Sequence, residues 1–234
     1  MPIISGADGI DPYVNDVPIE DPNLIDIKQL KFASFAGNGI DPLADNVERT
    51  LQNVVNSFVS QKIPVSQFPT DVIAESLNVW LGVVSLDKGY TDKQITSRAG
   101  TDKYSYDRDW TRKSLLEIQN ETVSPKRINE VFERWSTFNS KLTSLFHNFD
   151  ILLCPASPHT APLHEQTDGL QTICSYNCMS NLTGWPAAVV PVAQAKNGLP
   201  IGIQIIGKPW QEGKVLAVAK YIENHFGGYH PPIL

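Results

Sequence analysis

The sequence predicts an α/β fold, a mixed β-sheet flanked by helices. Three observations predict it. First, an apolar run, an amphipathic stretch and a second apolar run follow one another between residues 30 and 68. That is the βαβ order, which pairs strands in parallel and covers the sheet with a helix. Second, two β-rich runs, residues 187–193 and 200–207, are joined through Lys196, Asn197 and Gly198, and an Asn-Gly turn between such runs predicts an antiparallel hairpin. Third, long stretches carry apolar residues at helical spacing, so helices pack on the sheet.

Taken in order, residues 1–27 are rich in Pro, Asp and Asn and read as an irregular lead-in. Residues 30–37 predict a strand and NGIDP a turn. Asp45 is placed to cap a helix, with Glu48 three residues on as in a capping box. Val47, Leu51, Val54, Val55, Phe58 and Val59 then repeat at helical spacing. Residues 63–68 predict a second strand, 71–86 a helix and 87–109 a loop. Ser124 followed by Pro125 marks a helix start. The stripe Ile128, Val131, Phe132, Trp135, Phe138, Leu142, Leu145, Phe146 extends that helix into DILLCP, a short buried strand ended by proline. Residues 156–169 predict a loop, 175–181 a short helix, then the hairpin, then a helix from 212 to 226 stopped by Gly227 and Gly228. No linker divides the chain, so residues 28–234 are expected to form one α/β core.

Composition narrows the function classes. The chain has 234 residues and a net charge of −6, with no basic cluster, which argues against a nucleic-acid footprint. No apolar run reaches membrane-spanning length, and MPIISGADGI has no signal-peptide pattern. Three cysteines, Cys154, Cys174 and Cys178, make no disulfide framework and fit a reducing, cytoplasmic setting.

Few residue spacings in the chain carry recognisable chemistry. Ser85 and Lys88 form an S-x-x-K pair, but its companion patterns are missing, and the alternative is a helix C-terminus with an exposed lysine. Cys174 and Cys178 at i,i+4, with His159 and His164 upstream, could offer zinc ligands, yet the spacings are not those of structural sites. Neither a metal nor a cofactor is expected. Cys154 and one of the pair read as small core residues. His159 stands in a loop after a strand, a place where function concentrates; His225 and His230 read as surface residues. Trp80 and Trp135 fall on helical apolar stripes and read as core, whereas Trp185, in a Gly-Trp-Pro turn, is more open to a pocket role.

The ordered motifs FDILLCPASPHTAP, NLTGWPAAVVPV and GLPIGIQIIGKPWQEGKVLAVAKYIE strongly resemble the C-terminal part of the amidase signature family. ISGADGIDPYVNDVP resembles the stretch just downstream of that family's Gly/Ser-rich catalytic segment. The resemblance covers nearly the whole chain, least of all residues 87–121.

The resemblance implies amide hydrolysis or acyl transfer through a serine acyl-enzyme, with a Ser–cis-Ser–Lys triad and a backbone oxyanion hole. No triad residue can be matched to a position here, so no catalytic residue is assigned. What the resemblance does carry over is a pocket wall. It consists of Ser157, Pro158, His159 and Thr160 after the DILLCP strand, with Tyr176, Asn177, Asn181 and Thr183 on and after the following helix. Tyr176 and Asn181 stand first among them; their alternatives are a core aromatic and an Asn serving a helix end. Gly184, Pro186, Gly202 and Gly207 are expected to serve backbone geometry.

The first expectation is therefore an amidase C-terminal portion, inactive alone, acting on a small amide substrate. It would pair with an N-terminal amidase half or self-associate through an open sheet edge and an apolar face. The alternatives are a non-catalytic binding or scaffold module on the same fold, and an independent hydrolase using Ser85 and Lys88 or a Cys/His pair.

Overall fold

The computed structural model describes residues 5–88, 90–100, 123–163, 174–229 and 231. Its centre is a five-stranded mixed sheet in the order β2-β1-β3-β5-β4. Strand β1 (Phe32–Ser34) pairs in parallel with β2 (Val65–Gln67) on one side and β3 (Ile151–Pro155) on the other. Strand β5 (Pro200–Gly207) runs antiparallel to both β3 and β4 (Ala187–Gln194). The expected α/β class, the parallel βαβ unit and the antiparallel hairpin are all present.

Side chains alternate across this sheet and so divide the core into two layers. Phe32, Ile151, Leu153, Ile203 and Ile205 face helices α1 (Asp45–Ser60) and α6 (Glu212–Phe226). Ala33, Leu152, Cys154 and Ile206 face the other way, toward α2 (Ser76–Ser85), α4 (Pro125–Phe146) and α5 (Ser175–Thr183). Central strand β3 is buried along its whole length, as expected of a strand covered on both faces. Among the described residues the expected bare apolar sheet face is absent, because helices of this chain cover both sides. What stays open lies at the margin: edge strand β4 leaves Val189 54% exposed, and α4 leaves Phe132 50% exposed.

Local chemistry explains most boundaries. Ser124 accepts a hydrogen bond from Arg127 N–H and Pro125 opens α4, as the sequence predicts. Gly184 closes α5 at φ 68°, a left-handed cap that glycine adopts without steric cost. Gly227 closes α6 in the same way.

Four readings need correction. Helix α1 begins after Ala44, which has no side chain able to cap; Asp45 lies inside the helix and with Glu48 supplies negative charge to its first turn. Helix α3 (Tyr90–Arg98) occupies part of the stretch read as loop; its sequence is polar and shows no apolar stripe, so periodicity could not reveal it. Val59 and Phe132 extend the helical stripes of α1 and α4 but point to solvent, because a stripe wider than the contact zone leaves its flanks uncovered. The hairpin turn uses positive φ at Gly198 alone. Ala195 N–H bonds to Leu199 O and Gly198 N–H to Ala195 O, which makes a three-residue connection with a left-handed glycine. Residues 101–109 of the expected loop lie outside the described residues.

Candidate active site wall

Strands β1 and β3 are parallel, so their C-terminal ends emerge on the same side of the sheet, where open α/β sheets bind ligands. After β1 the chain turns through Asn38, which is fully buried. Its Nδ2 donates to Ser175 Oγ at 2.7 Å, and its Oδ1 accepts from Ile40 N–H at 3.0 Å. One amide side chain therefore fastens the β1 loop to the first turn of α5. Tyr176 repeats the link, because its hydroxyl donates to Ala36 O at 2.7 Å while its ring stacks on Phe35. Burial pushes the Tyr176 phenol well above its usual range, so it stays protonated and keeps donating. Gln204, buried on β5, donates to Tyr176 O at 3.1 Å and reaches Cys154 Sγ at 3.6 Å. Burial likewise pushes the Cys154 thiol up to about 12, so it stays neutral at physiological pH.

The loop after β3 closes this corner. Ala44 N–H donates to Pro158 O at 2.9 Å, tying the loop to the start of α1. His159 Nε2 lies 3.5 Å from Asp41 Oδ2. Ser157 Oγ is buried without a hydrogen-bond partner among the described residues, and Asp41 Oδ2 has none beyond that contact with His159. Buried polar groups are normally satisfied, so each of these oxygens keeps the capacity to accept a further hydrogen bond.

The residues expected in the pocket wall form two groups. Ser157, His159 and Thr160 lie on the loop at the strand ends, next to the turn that Tyr176 and Ser175 hold. Tyr176 itself is buried and supports this corner from behind. Asn177 is half-buried one position further along α5, its N–H bonded to Cys174 O. Asn181 and Thr183 belong to the other end of α5, about 8–10 Å further on at 1.5 Å per residue. Asn181 is exposed there. Thr183 Oγ1 donates to Met179 O at 2.9 Å and accepts from Trp185 N–H at 3.3 Å. Beside that end runs an open groove of about 760 Å³ lined by α4 residues including Phe132, Trp135 and Asn139. Trp135 Nε1 and Asn139 Nδ2 both donate to Leu182 O.

Trp185, read as more open to a pocket role, is a core residue that meets Phe146 edge-on at 4.8 Å. Ser85 is buried and its hydroxyl donates to Gly82 O at 2.7 Å, so it is engaged as a helix-end serine. Cys154 and Cys178 are buried, in line with their core reading. His164 lies outside the described residues. Among the described residues no three His, Cys, Asp or Glu side chains gather as metal ligands. Sequence reasoning missed Asn38, Asp41, Ser175 and Gln204. Gln204 gave a signal, a lone amide inside the apolar run PIGIQIIG; Asn38 was hidden in a turn whose composition already explained it.

The family model described as "Amidase" matches residues 2–216. A subunit of the glutamyl-tRNA(Gln) amidotransferase of Brevibacillus brevis is 41% identical over 37% of this chain and 18% of its own length. The corresponding subunit from Staphylococcus aureus is 27% identical over 95% of this chain and 51% of its own length. The structure of 6-aminohexanoate cyclic dimer hydrolase superposes with a TM-score of 0.74 at 14% identity, covering 94% of this chain and 50% of that one; at that identity the likeness is one of fold. The chain spans about half the length, or less, of these proteins. No helix among the described residues is long and apolar enough to cross a membrane.

Proposed function

The chain belongs to the amidase family, and from that premise we propose that it furnishes the pocket wall and sheet core of an amide-hydrolysing or acyl-transferring enzyme. The nucleophile and its base come from a segment outside these 234 residues. The loop Ser157, His159, Thr160 and the N-terminal end of α5 with Asn177 face a small amide substrate; Asn181 and Thr183 border it from the far end of the helix. One observation carries this reading: Asn38, Tyr176 and Gln204 lock three separate elements at the ends of β1 and β3, while Ser157 Oγ on the loop that follows β3 is buried without a partner among the described residues. Rigid support behind an unsatisfied polar atom is the arrangement expected of a preorganised wall. Two relatives are named as subunits, which supports a partnered assembly, and the low, odd cysteine count supports a reducing, cytoplasmic setting.

A second reading has its own support. Both sheet faces are covered by this chain's helices, so the fold could stand alone as a non-catalytic binding module. The two separate in one experiment. The 234-residue chain is assayed for release of p-nitroaniline from small acyl anilides, alone and co-expressed with an amidase N-terminal half, and both samples go to native mass spectrometry. The pocket-wall reading expects no turnover alone, with turnover and a one-to-one complex on co-expression. A monomer that ignores the half and stays inactive would overturn it in favour of the binding module. Turnover by the chain alone would overturn both.

A further inference from the structure

Two cysteines that the pocket wall does not use sit together at the start of α5. Cys174 is the N-cap residue of this nine-residue helix and is half-exposed. Cys178 stands one turn on, buried, with its thiol donating to Cys174 O at 3.6 Å. We propose that Cys174 and Cys178 are a peroxide-sensitive dithiol that closes to an intrachain disulfide.

Position and chemistry support this together. A thiolate at a helix N-terminus is favoured by the backbone dipole and is the nucleophilic form. The adjacent Cys178 thiol and, after it, the backbone draw the Cys174 pKa below the ordinary thiol range against the opposing effect of burial. The neighbouring Cys174 and burial hold Cys178 protonated, and Cys174 is the more exposed of the two, so the pair has one attacking and one resolving member. Cα atoms at i,i+4 in a helix are about 6 Å apart, inside the range of about 4.4–6.8 Å that a disulfide spans.

The chemistry closes without residue. The Cys174 thiolate attacks one oxygen of a hydroperoxide, the O–O bond breaks, and the alcohol or water leaves carrying the proton that Cys174 released. Cys174 is now a sulfenic acid. Cys178 sulfur then attacks that sulfur, the S–S bond forms, the S–O bond breaks, and water leaves with the Cys178 proton. The peroxide takes up two electrons and the two thiols lose two.

The closure has a structural consequence. Cβ atoms at i,i+4 stand about 5–6 Å apart on a helix, whereas a disulfide draws them to about 3.8 Å. Cys174 lies at φ −90°, ψ 3°, outside the helical repeat, and must do the moving. Ser175, which accepts the Asn38 amide, moves with it. Oxidation would thereby loosen the link between α5 and the β1 loop.

The test does not depend on the amidase reading, because it reads mass and thiol content. The full chain is treated with hydrogen peroxide at neutral pH, digested without reductant and mapped by mass spectrometry. The peptide or peptide pair holding Cys174 and Cys178 loses two hydrogens, and dithiothreitol restores them. Iodoacetamide labels Cys174 at least about tenfold faster than Cys154, as thiolate content dictates. In Cys178→Ser, or in the native chain if that variant does not fold, dimedone traps a sulfenic acid at Cys174. Cys174→Ser leaves Cys178 reduced at the same dose, and Cys154→Ser changes nothing. Preferential oxidation of Cys154, a disulfide between chains, or equal oxidation of Cys178 in Cys174→Ser would each overturn the proposal.

Discussion

At the scale of single residues, two side chains make separable predictions. Asp150, just before β3, accepts from Lys31 N–H at 3.0 Å and from Lys214 Nζ at 3.2 Å. Burial works against its charge, but these donors and the nearby Lys208 outweigh it and hold the carboxyl below its usual range. A depressed folded-state pKa means stability that is present above the unfolded value of about 3.9 and lost as pH falls through the folded one. Asp150→Asn is expected to cost roughly 1–2 kcal/mol at pH 7. The gap to the native chain should narrow below about pH 4, as read from urea midpoints across pH. Tyr176 tests the support of the site wall. Tyr176→Phe keeps the stacked ring and removes the donor to Ala36 O, for an expected loss of roughly 1 kcal/mol. A lower guanidinium midpoint with an unchanged slope would show it; an unchanged midpoint would mean that water replaces the phenol without cost.

Elements show where sequence reading succeeds and where it stops. Helix α4 and strand β3 were legible because periodicity, capping and a terminal proline agree at the same positions. Helix α3 was illegible because polar residues all round leave no stripe. The site divided in the same way: Ser157 and His159 stand out in a loop, while Asn38 and Ser175, 137 residues apart, meet only once the sheet is assembled, and no spacing encodes that. Lead-in packing is a further case. Gly213, in the first turn of α6, lies where an added Cβ would come within 2.5 Å of Glu20 O. In an open helix Gly→Ala stabilises by about 1 kcal/mol. Here the added methyl pushes against backbone that Lys220 also holds through Asn23 at 2.8 Å. Gly213→Ala should therefore leave α6 intact and lift the lead-in, seen as faster hydrogen exchange at Leu24, whose N–H bonds to Asp21 O. Unchanged exchange there would show that the lead-in shifts without detaching.

For the molecule as a whole, the question is whether one sheet with a core layer on each face unfolds as one unit. Leu152 and Leu153 are adjacent in β3, fully buried, and point to opposite layers. Each Leu→Ala change is expected to cost about 2–5 kcal/mol from lost burial and the cavity left behind. Trp80, Trp135 and Trp185 all pack in the layer of Leu152; with Trp110 and Trp210 replaced by phenylalanine, tryptophan fluorescence reports on that layer while far-UV circular dichroism reports on all helices. If β3 couples the layers, Leu153→Ala lowers the fluorescence midpoint although its cavity opens on the face away from those three tryptophans. The dichroism midpoint falls with it, because both layers share the backbone ladder of β1, β3 and β5. A fluorescence transition left in place while dichroism shifts would mean two layers that melt separately. The layer of α1 and α6 would then depend on additional chain for its stability, and a partner half would be needed to hold the sheet together as well as to supply the nucleophile.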